Sequence, residues 1–461
     1  MASNESASPD RASWSGKWAF ILAGAASAVG LGNMWRFPYL AAKFGGGTFL
    51  LTYLVLVATF GLSLLLLETA LGRHTRQSVI GAFSHFGKKY IWIGILAAVV
   101  PFIITPYYCI IGGWVTKYMV AYITNGPAAL ADGGTFFTGF ISSNVESYVW
   151  MLIFMALVFF VVALGVQGGI EKANRIMMPA LIVMAVAIAI FTMTMPGALD
   201  GVAYYLVPDF SKFSPDLVIN ALGQMFYSLS LAMGIMVTYG SYMRRKDSLP
   251  NSVANIAGFD FGVSFLAGLM IVPAAYVAMG SAEAVAAKAG PSLMFITLPE
   301  VFNSMSPTIG TIIGFVFFLL VLFAALTSAI SLTEALVSIV ADGTGLSRRL
   351  SLIICMVFIV VVGIIVNAGY NVFSAVQPLG EDSTILDFFD FISNSVLMPI
   401  VAILTCIFVG WIVKPKVLVD EVKESSEFKA EKAWVVMVKY IAPLLVALIL
   451  ISNILPYFVG A

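Results

Sequence analysis

Charge is scarce in this chain. Only 10% of its 461 residues are Asp, Glu, Lys or Arg, where a soluble domain carries about 25%. A chain so poor in charge cannot clothe its surface for water, which excludes an ordinary soluble protein. Net charge is +0, so no basic field attracts nucleic acid and none is expected as a partner. Cysteine numbers three: Cys109, Cys355 and Cys406, each inside an apolar run. Their placement speaks against disulfides and thiolate metal sites. The two histidines, His74 and His85, flank one polar loop without zinc-type spacing. With no midplane His or Cys/His constellation, an enzyme is not expected. The first ten residues, MASNESASPD, lack an apolar stretch and do not read as a cleaved signal peptide.

What is abundant is apolar: 60% hydrophobic residues, 13% aromatics and 40 glycines, with a mean hydropathy of +0.99. Rings anchor membrane interfaces and small residues let helices approach closely. Crossing a bilayer takes about 20 apolar residues. Eleven segments qualify: 17–42, 48–72, 91–124, 148–167, 172–195, 215–245, 256–280, 308–341, 349–368, 384–413 and 432–459. Their apolar runs are continuous rather than alternating, which predicts helices and not barrel strands. All but five of the 24 Lys and Arg residues flank one face if the N-terminus lies inside; the exceptions are Arg36, Lys43, Lys117, Lys212 and Lys288. That asymmetry predicts a cytoplasmic N-terminus and, with eleven spans, an outside C-terminus in a multi-pass cell-membrane protein.

Two of these helices are interrupted. The first breaks at Gly30-Leu31-Gly32, within ASAVGLGNMWRFP, and the sixth around Ser228–Gly234. They are five spans apart. Paired breaks in corresponding places point to a transporter site, because half-helix ends offer free N–H groups to carboxylates and free carbonyls to cations. On spacing alone, glycines that merely allow close helix packing remain a rival explanation.

Several motifs in order carry a resemblance: RASW (from Arg11), AVGLGNMWRFPYLA, GGGTF, PYYCIIGGW, GGIEKANRIMMP, GQMFYSLSLAMG, PSLMFITLPEVF and LFAALTSAISL. The chain resembles the neurotransmitter:sodium symporter family, and within it the bacterial eleven-helix transporters of hydrophobic and aromatic amino acids. The resemblance implies an all-α membrane fold of two inverted five-helix repeats with helices 1 and 6 broken. Residues 1–16 would form an inner tail, 17–195 the first repeat, 196–214 an outer connection, 215–413 the second repeat, 414–431 an inner loop and 432–461 the last helix and C-terminus.

The resemblance also implies two sodium sites and a substrate site. The first ion would meet the Ala28 carbonyl, the Asn33 side chain, Ser228, the Asp260 carboxylate and the substrate's own carboxylate. The second would meet the carbonyls of Ala26, Val29 and Ala324 and the hydroxyls of Thr327 and Ser328. These are oxygen ligands, as a hard cation requires. The substrate's carboxylate would meet the N–H groups of Leu31 and Gly32 and the Tyr108 hydroxyl. Its amino group would meet Ala28, Tyr227, Ser228 and Ser230. Its side chain would lie among Ile104, Tyr227, Met233, Ser328, Ala329 and Leu332. That apolar lining favours a bulky aliphatic or aromatic side chain.

Asp260 stands, with Ser264 one turn later, where chloride-requiring relatives commonly have Asn and Ser. A fixed carboxylate supplies negative charge beside the cations, so transport is expected to need no chloride. Arg36 and Asp390 would face each other as an outer gate. Arg11 and Asp342 would form an inner gate, with Trp14 packing and Tyr242 supporting. Gly169 and Pro179 would mark a stretch of helix 5 that unwinds to admit water to the second ion. Glu68 is expected to bond free N–H groups at the breaks. For Glu334 only its place in a span is given, with a protonated structural role open. The resulting expectation is a sodium-coupled importer of hydrophobic L-amino acids working by alternating access. A non-transporting sensor on the same fold, or a proton-coupled or exchange transporter, stands as the alternative.

Overall fold

The computed structural model describes residues 12–280, 291–381 and 383–459. Arg11 therefore lies outside the described residues. The elements that matter here are α1 (Lys17–Ala28), α2 (Gly32–Lys43), α3 (Gly47–Thr75), α4 (Val79–Ser84), α5 (Lys88–Thr124), α6 (Glu146–Ala163), α7 (Val166–Met193), α8 (Pro215–Ser228), α9 (Ile235–Ser241), α10 (Leu249–Met279), α11 (Leu293–Asn303), α12 (Pro307–Thr344), α13 (Arg348–Tyr370), α14 (Ile385–Val413), α15 (Lys416–Lys423) and α16 (Glu431–Leu455). No strand forms among the described residues beyond an isolated bridge between Gly46 and Pro208.

Nine of these helices are long and apolar enough to cross a membrane, and α1 with α2, bent by 55°, makes a tenth. The second broken pair does not qualify on length. α8 has 14 residues, α9 only 7, and six residues separate them. The segment expected to continue to 245 leaves its helix at Ser241. Helices α7 and α10 begin earlier than the hydropathy pattern suggested, at Val166 and Leu249. Polar and small residues at those ends (VQGGIE and LPNSVAN) hid the helix from a count of apolar side chains. Short helices at Val79–Ser84, Ala198–Leu206 and Lys416–Lys423 had no apolar signal long enough to be read.

The broken pairs sit at the centre. α1 packs on α10 and α12, α9 packs along α3, and α5 runs against α12. Close approach needs the absence of a side chain at Gly72, where a Cβ would lie 1.9 Å from the Val237 carbonyl oxygen. This is how α3 carries the short α9 despite its length. Outward faces of α13 and α16 are apolar and exposed, including Ile353, Val357, Val361, Leu444 and Leu448, as lipid-facing helices must be.

Candidate functional site

The two breaks have different backbones. In the first, Val29 is extended (φ −74°, ψ 100°) and Leu31 already helical. Neither Gly30 nor Gly32 takes a positive φ. What these glycines provide is room. A Cβ on Gly30 would lie 2.8 Å from Ser328 Oγ and 2.9 Å from the Tyr108 hydroxyl, and one on Gly32 would lie 2.9 Å from the Tyr227 ring. In the second break Ser230, Ala232 and Gly234 all turn left-handed, at φ 54°, 60° and 71°. Two of these carry a Cβ, a strained conformation that surrounding contacts must hold. Ser230 Oγ donates to the Ser27 carbonyl at 3.0 Å, and the Ala232 N–H donates to Glu68 Oε1 at 2.7 Å. Glu68, buried on α3, thus takes up an amide that the break sets free.

A cavity of about 30 Å³ lies between the breaks. Of the twelve residues nominated for substrate, all but Ala329 line it: Ala28, Leu31, Gly32, Ile104, Tyr108, Tyr227, Ser228, Ser230, Met233, Ser328 and Leu332. Ala329 is fully buried elsewhere on α12. Ser27, Gly30, Asn33 and Ile235 complete the wall. At one edge the Leu31 N–H donates to the Tyr108 hydroxyl at 3.3 Å, a contact a carboxylate could replace.

At the opposite edge, Asp260 Oδ1 accepts from Ser228 Oγ at 2.6 Å and Asn33 Nδ2 at 2.8 Å, and Asp260 Oδ2 accepts from the Tyr53 hydroxyl at 3.3 Å. Asn33 Nδ2 also donates to Ser264 Oγ at 2.8 Å. Asn33, Ser228, Asp260 and Ser264 are buried, and the hydrogen-bond partners of Asp260 among the described residues are all neutral. The Asn33 oxygen, expected to face an ion, accepts the Gly30 N–H at 2.8 Å instead. Presenting it to a cation beside Asp260 requires the amide to turn over.

Part of the second nominated ion site is drawn together. Ser328 Oγ lies 3.5 Å from the Ala26 carbonyl oxygen and 3.2 Å from that of Val29. Thr327 Oγ1 instead bonds back to its own helix, to Phe323 and Ala324 carbonyls at 2.9 and 3.1 Å. The sequence did not point to Tyr53 or to Gln224, whose Nε2 donates to the Gly32 carbonyl at 3.1 Å. A search for hydroxyl and amide donors on the helices facing Asp260 would have raised both.

Above this cavity, toward Arg36, opens a larger one of about 330 Å³, lined by Arg36, Tyr107, Tyr227, Asp390 and Asn394 among others. Arg36 and Asp390 share it but form no ion pair with each other. The expected contact is not made in this conformation.

The other end is packed. Trp14, 1% exposed, donates its indole N–H to the Tyr239 carbonyl at 3.1 Å and stands edge-on to Tyr239 and Tyr242. Asp342 Oδ2 accepts the Ser78 N–H at 2.7 Å; its expected partner Arg11 is outside the described residues. Glu334 has a partner that the sequence reading missed. Arg348 grips it with two nitrogens at 2.8 and 2.6 Å, and the Tyr242 hydroxyl donates at 2.8 Å. Helix α7 stays wound across Gly169 and Pro179, and its Glu171 accepts from Ser15 and from Arg175.

Comparisons with known proteins agree with this architecture. The sodium:neurotransmitter symporter family model matches residues 11–129 and 141–459. A sodium-dependent transporter of Bacillus subtilis (strain 168), itself uncharacterized, is 34% identical over 449 residues, covering 96% of this chain and 97% of that protein. One from Methanocaldococcus jannaschii is 33% identical over 462 residues, covering 97% and 92%. The solved structure of MhsT in complex with L-phenylalanine has a TM-score of 0.85 at 35% identity, covering 96% of this chain and all of that one. The likeness shows a leucine-transporter-type fold.

Proposed function

Since the chain belongs to the sodium:neurotransmitter symporter family, a family of sodium-dependent membrane transporters, we propose that it imports hydrophobic L-amino acids with sodium and without chloride. The observation that carries this is the shared cavity between the two breaks, which eleven nominated residues line. Tyr108 and the Leu31 amide stand at one edge as carboxylate donors. Asn33, Ser228 and Asp260 stand at the other as oxygen ligands for a cation, once Asn33 turns its amide over. An amino acid bridging the edges completes the ion's shell with its own carboxylate, so each ligand raises the affinity of the other. A second sodium would rest among Ala26, Val29, Ala324, Thr327 and Ser328. The wall of Ile104, Met233, Ile235 and Leu332 suits an aliphatic or aromatic side chain, and L-phenylalanine bound to the similar MhsT supports that class.

In this reading α8 and α9 together make the eleventh crossing, the N-terminus is cytoplasmic and the C-terminus is outside. Arg36 then faces outward and Trp14 inward, and the conformation described is outward-facing. Closure would bring Arg36 onto Asp390. Opening of the inner side would release Trp14, Arg11 and Asp342 and unwind α7 between Gly169 and Pro179. Because Asp260 supplies a fixed negative charge, chloride is dispensable.

The test is uptake of labelled L-phenylalanine and L-leucine into proteoliposomes. Uptake should require an inward sodium gradient and survive replacement of chloride by gluconate. Uptake that ignores sodium overturns the coupling; collapse without chloride overturns the role given to Asp260. Binding without counterflow would favour the sensor alternative.

A further inference from the structure

Asp390 is not idle while it is apart from Arg36. The Tyr107 hydroxyl donates to its Oδ1 at 3.1 Å, and Asn394 Nδ2 donates to the same oxygen at 2.5 Å. Asn394 Nδ2 also donates to the Tyr107 hydroxyl at 3.1 Å, closing a triangle. The amide orientation is set by chemistry, since turning it over would press the Asn394 oxygen against a carboxylate. Asn394 Oδ1 is itself buried and has no hydrogen-bond partner among the described residues, which shows that the side chain is placed for its nitrogen. Tyr107 is 2% exposed and its neighbour Tyr108 faces the substrate cavity. The π-turn Phe391–Leu397 begins just after Asp390 and brings Asn394 back beneath it. Both donors therefore load one oxygen and leave Oδ2 for the cavity.

We infer that Tyr107 and Asn394 are positioning residues of the Arg36–Asp390 gate, the inference resting on the transporter reading above. They fix the carboxylate with Oδ1 satisfied and Oδ2 aimed at the place Arg36 must reach. The physical argument concerns water. While the 330 Å³ cavity is open, water can replace a missing donor on Oδ1. When the cavity closes, water leaves, and an unsatisfied carboxylate oxygen becomes costly. The two donors thus matter little to the open state and much to the closed one. A hydrogen bond to a charged acceptor carries a bias on the order of tenfold in such an equilibrium.

The experiment uses the full-length protein in proteoliposomes with a cysteine at Asn453, which lines the cavity from α16. The native Cys109, Cys355 and Cys406 are buried and serve as background. The rate of modification by an impermeant maleimide is measured in sodium, with and without L-phenylalanine. In the parent, the amino acid should slow modification several-fold. In Asn394→Ala the rate without amino acid should stay as in the parent, and the several-fold protection should be all but lost. Tyr107→Phe, which keeps the ring and loses only the hydroxyl, should do the same more weakly. In an Arg36→Gln background protection is already lost, and neither substitution should add to that loss. Full protection in both variants, or a change of equal size with and without Arg36, overturns the inference and leaves the transporter reading intact. A parent that shows no sodium-dependent protection overturns both.

Discussion

The Arg36 face and the Trp14 face are built from the same residue types and hold them differently. On the Trp14 face several charges have found partners, among them Arg73 with Glu421, Arg244 with Asp247 and Arg348 with Glu334. Arg73 is wholly buried, and its Nε donates to Glu421 Oε1 at 2.7 Å. Its other nitrogens donate to the Asp247 carbonyl at 2.9 Å, to Ser425 Oγ at 3.0 Å and to the Glu421 carbonyl. Three separate segments, α3, the turn after α9 and the loop helix α15, meet on that one guanidinium. On the Arg36 face the arginine and aspartate that could pair line one cavity without forming an ion pair with each other. In the transporter reading proposed above, one end is closed by buried ion pairs and a buried indole, and the other keeps its pair in reserve. The difference teaches which contacts must break for the molecule to change faces, and it can be broken experimentally.

The largest effect is expected at Arg73. Glu421→Ala leaves a fully buried charge without its counter-ion, a loss of about 3–5 kcal/mol. The thermal midpoint of the detergent-purified protein should drop by several degrees or folding should fail; an unchanged midpoint would refute the stabilising role given to this pair. A pH arm accompanies it. Burial works to raise the Glu421 carboxyl, but the hydrogen bond from His74 and the Arg73 charge outweigh it and hold it below the ordinary glutamate value. A group depressed on folding adds stability above its unfolded value, about 4.3, and loses it as pH falls through the folded one. Acid unfolding below about pH 4 should therefore be shallower in Glu421→Gln than in the parent.

Next comes Trp14. Removing a buried indole costs about 3–5 kcal/mol in a rigid core, and less where the face is designed to open. Trp14→Ala should raise amide hydrogen exchange in 235–241, against which the indole packs. Exchange in 385–397 on the opposite face should stay level or fall. Parallel increases at both faces would mean general destabilisation rather than a shift of the equilibrium between them.

The same contrast explains what could be read from the sequence. Composition and hydropathy gave the helices, because lipid imposes about 20 apolar residues on every crossing. The breaks were visible where glycine or serine interrupts an apolar run. How they work was not visible. Gly30 and Gly32 left a backbone break and close packing both open, and they do make space for Ser328, Tyr108 and Tyr227, partners that spacing along one helix cannot name. The left-handed Ser230 and Ala232 carry no local signal at all, since tertiary contacts impose their conformation. Likewise Glu334 with Arg348 and Arg73 with Glu421 are pairs across helices, invisible to spacing along one. Eleven of the twelve residues nominated for substrate line one cavity, because the pattern of motifs encodes the meeting of helices that a single periodicity cannot.

A smaller effect is expected at Glu68. Glu68→Ala strands the Ala232 N–H, a cost of about 1–3 kcal/mol, and frees a strained segment of the cavity wall. Affinity for L-phenylalanine in sodium should fall by at least tenfold. Glu68→Gln keeps an acceptor oxygen and should retain most of it. Equal losses in both variants would show that the negative charge, and not the hydrogen bond to Ala232, is what the site needs.

The smallest effect on stability belongs to Arg36. Because Arg36 forms no ion pair among the described residues, Arg36→Lys breaks no salt bridge there, and the thermal midpoint without substrate should move by less than about 1 kcal/mol equivalent. Its cost should surface only when the face closes. Lysine offers a point charge where arginine offers a planar fork that can meet a carboxylate with two donors. Asp390 Oδ1 already has two donors, so a closing residue has Oδ2 to engage, and one ammonium proton suffices for that. Arg36→Lys should therefore keep much of the substrate-induced closure, while Arg36→Gln, with no charge, should lose it. If Arg36→Lys proved as damaging as Arg36→Gln, the gate would need both carboxylate oxygens. Tyr107 and Asn394 would then have to release Asp390 before the face could close.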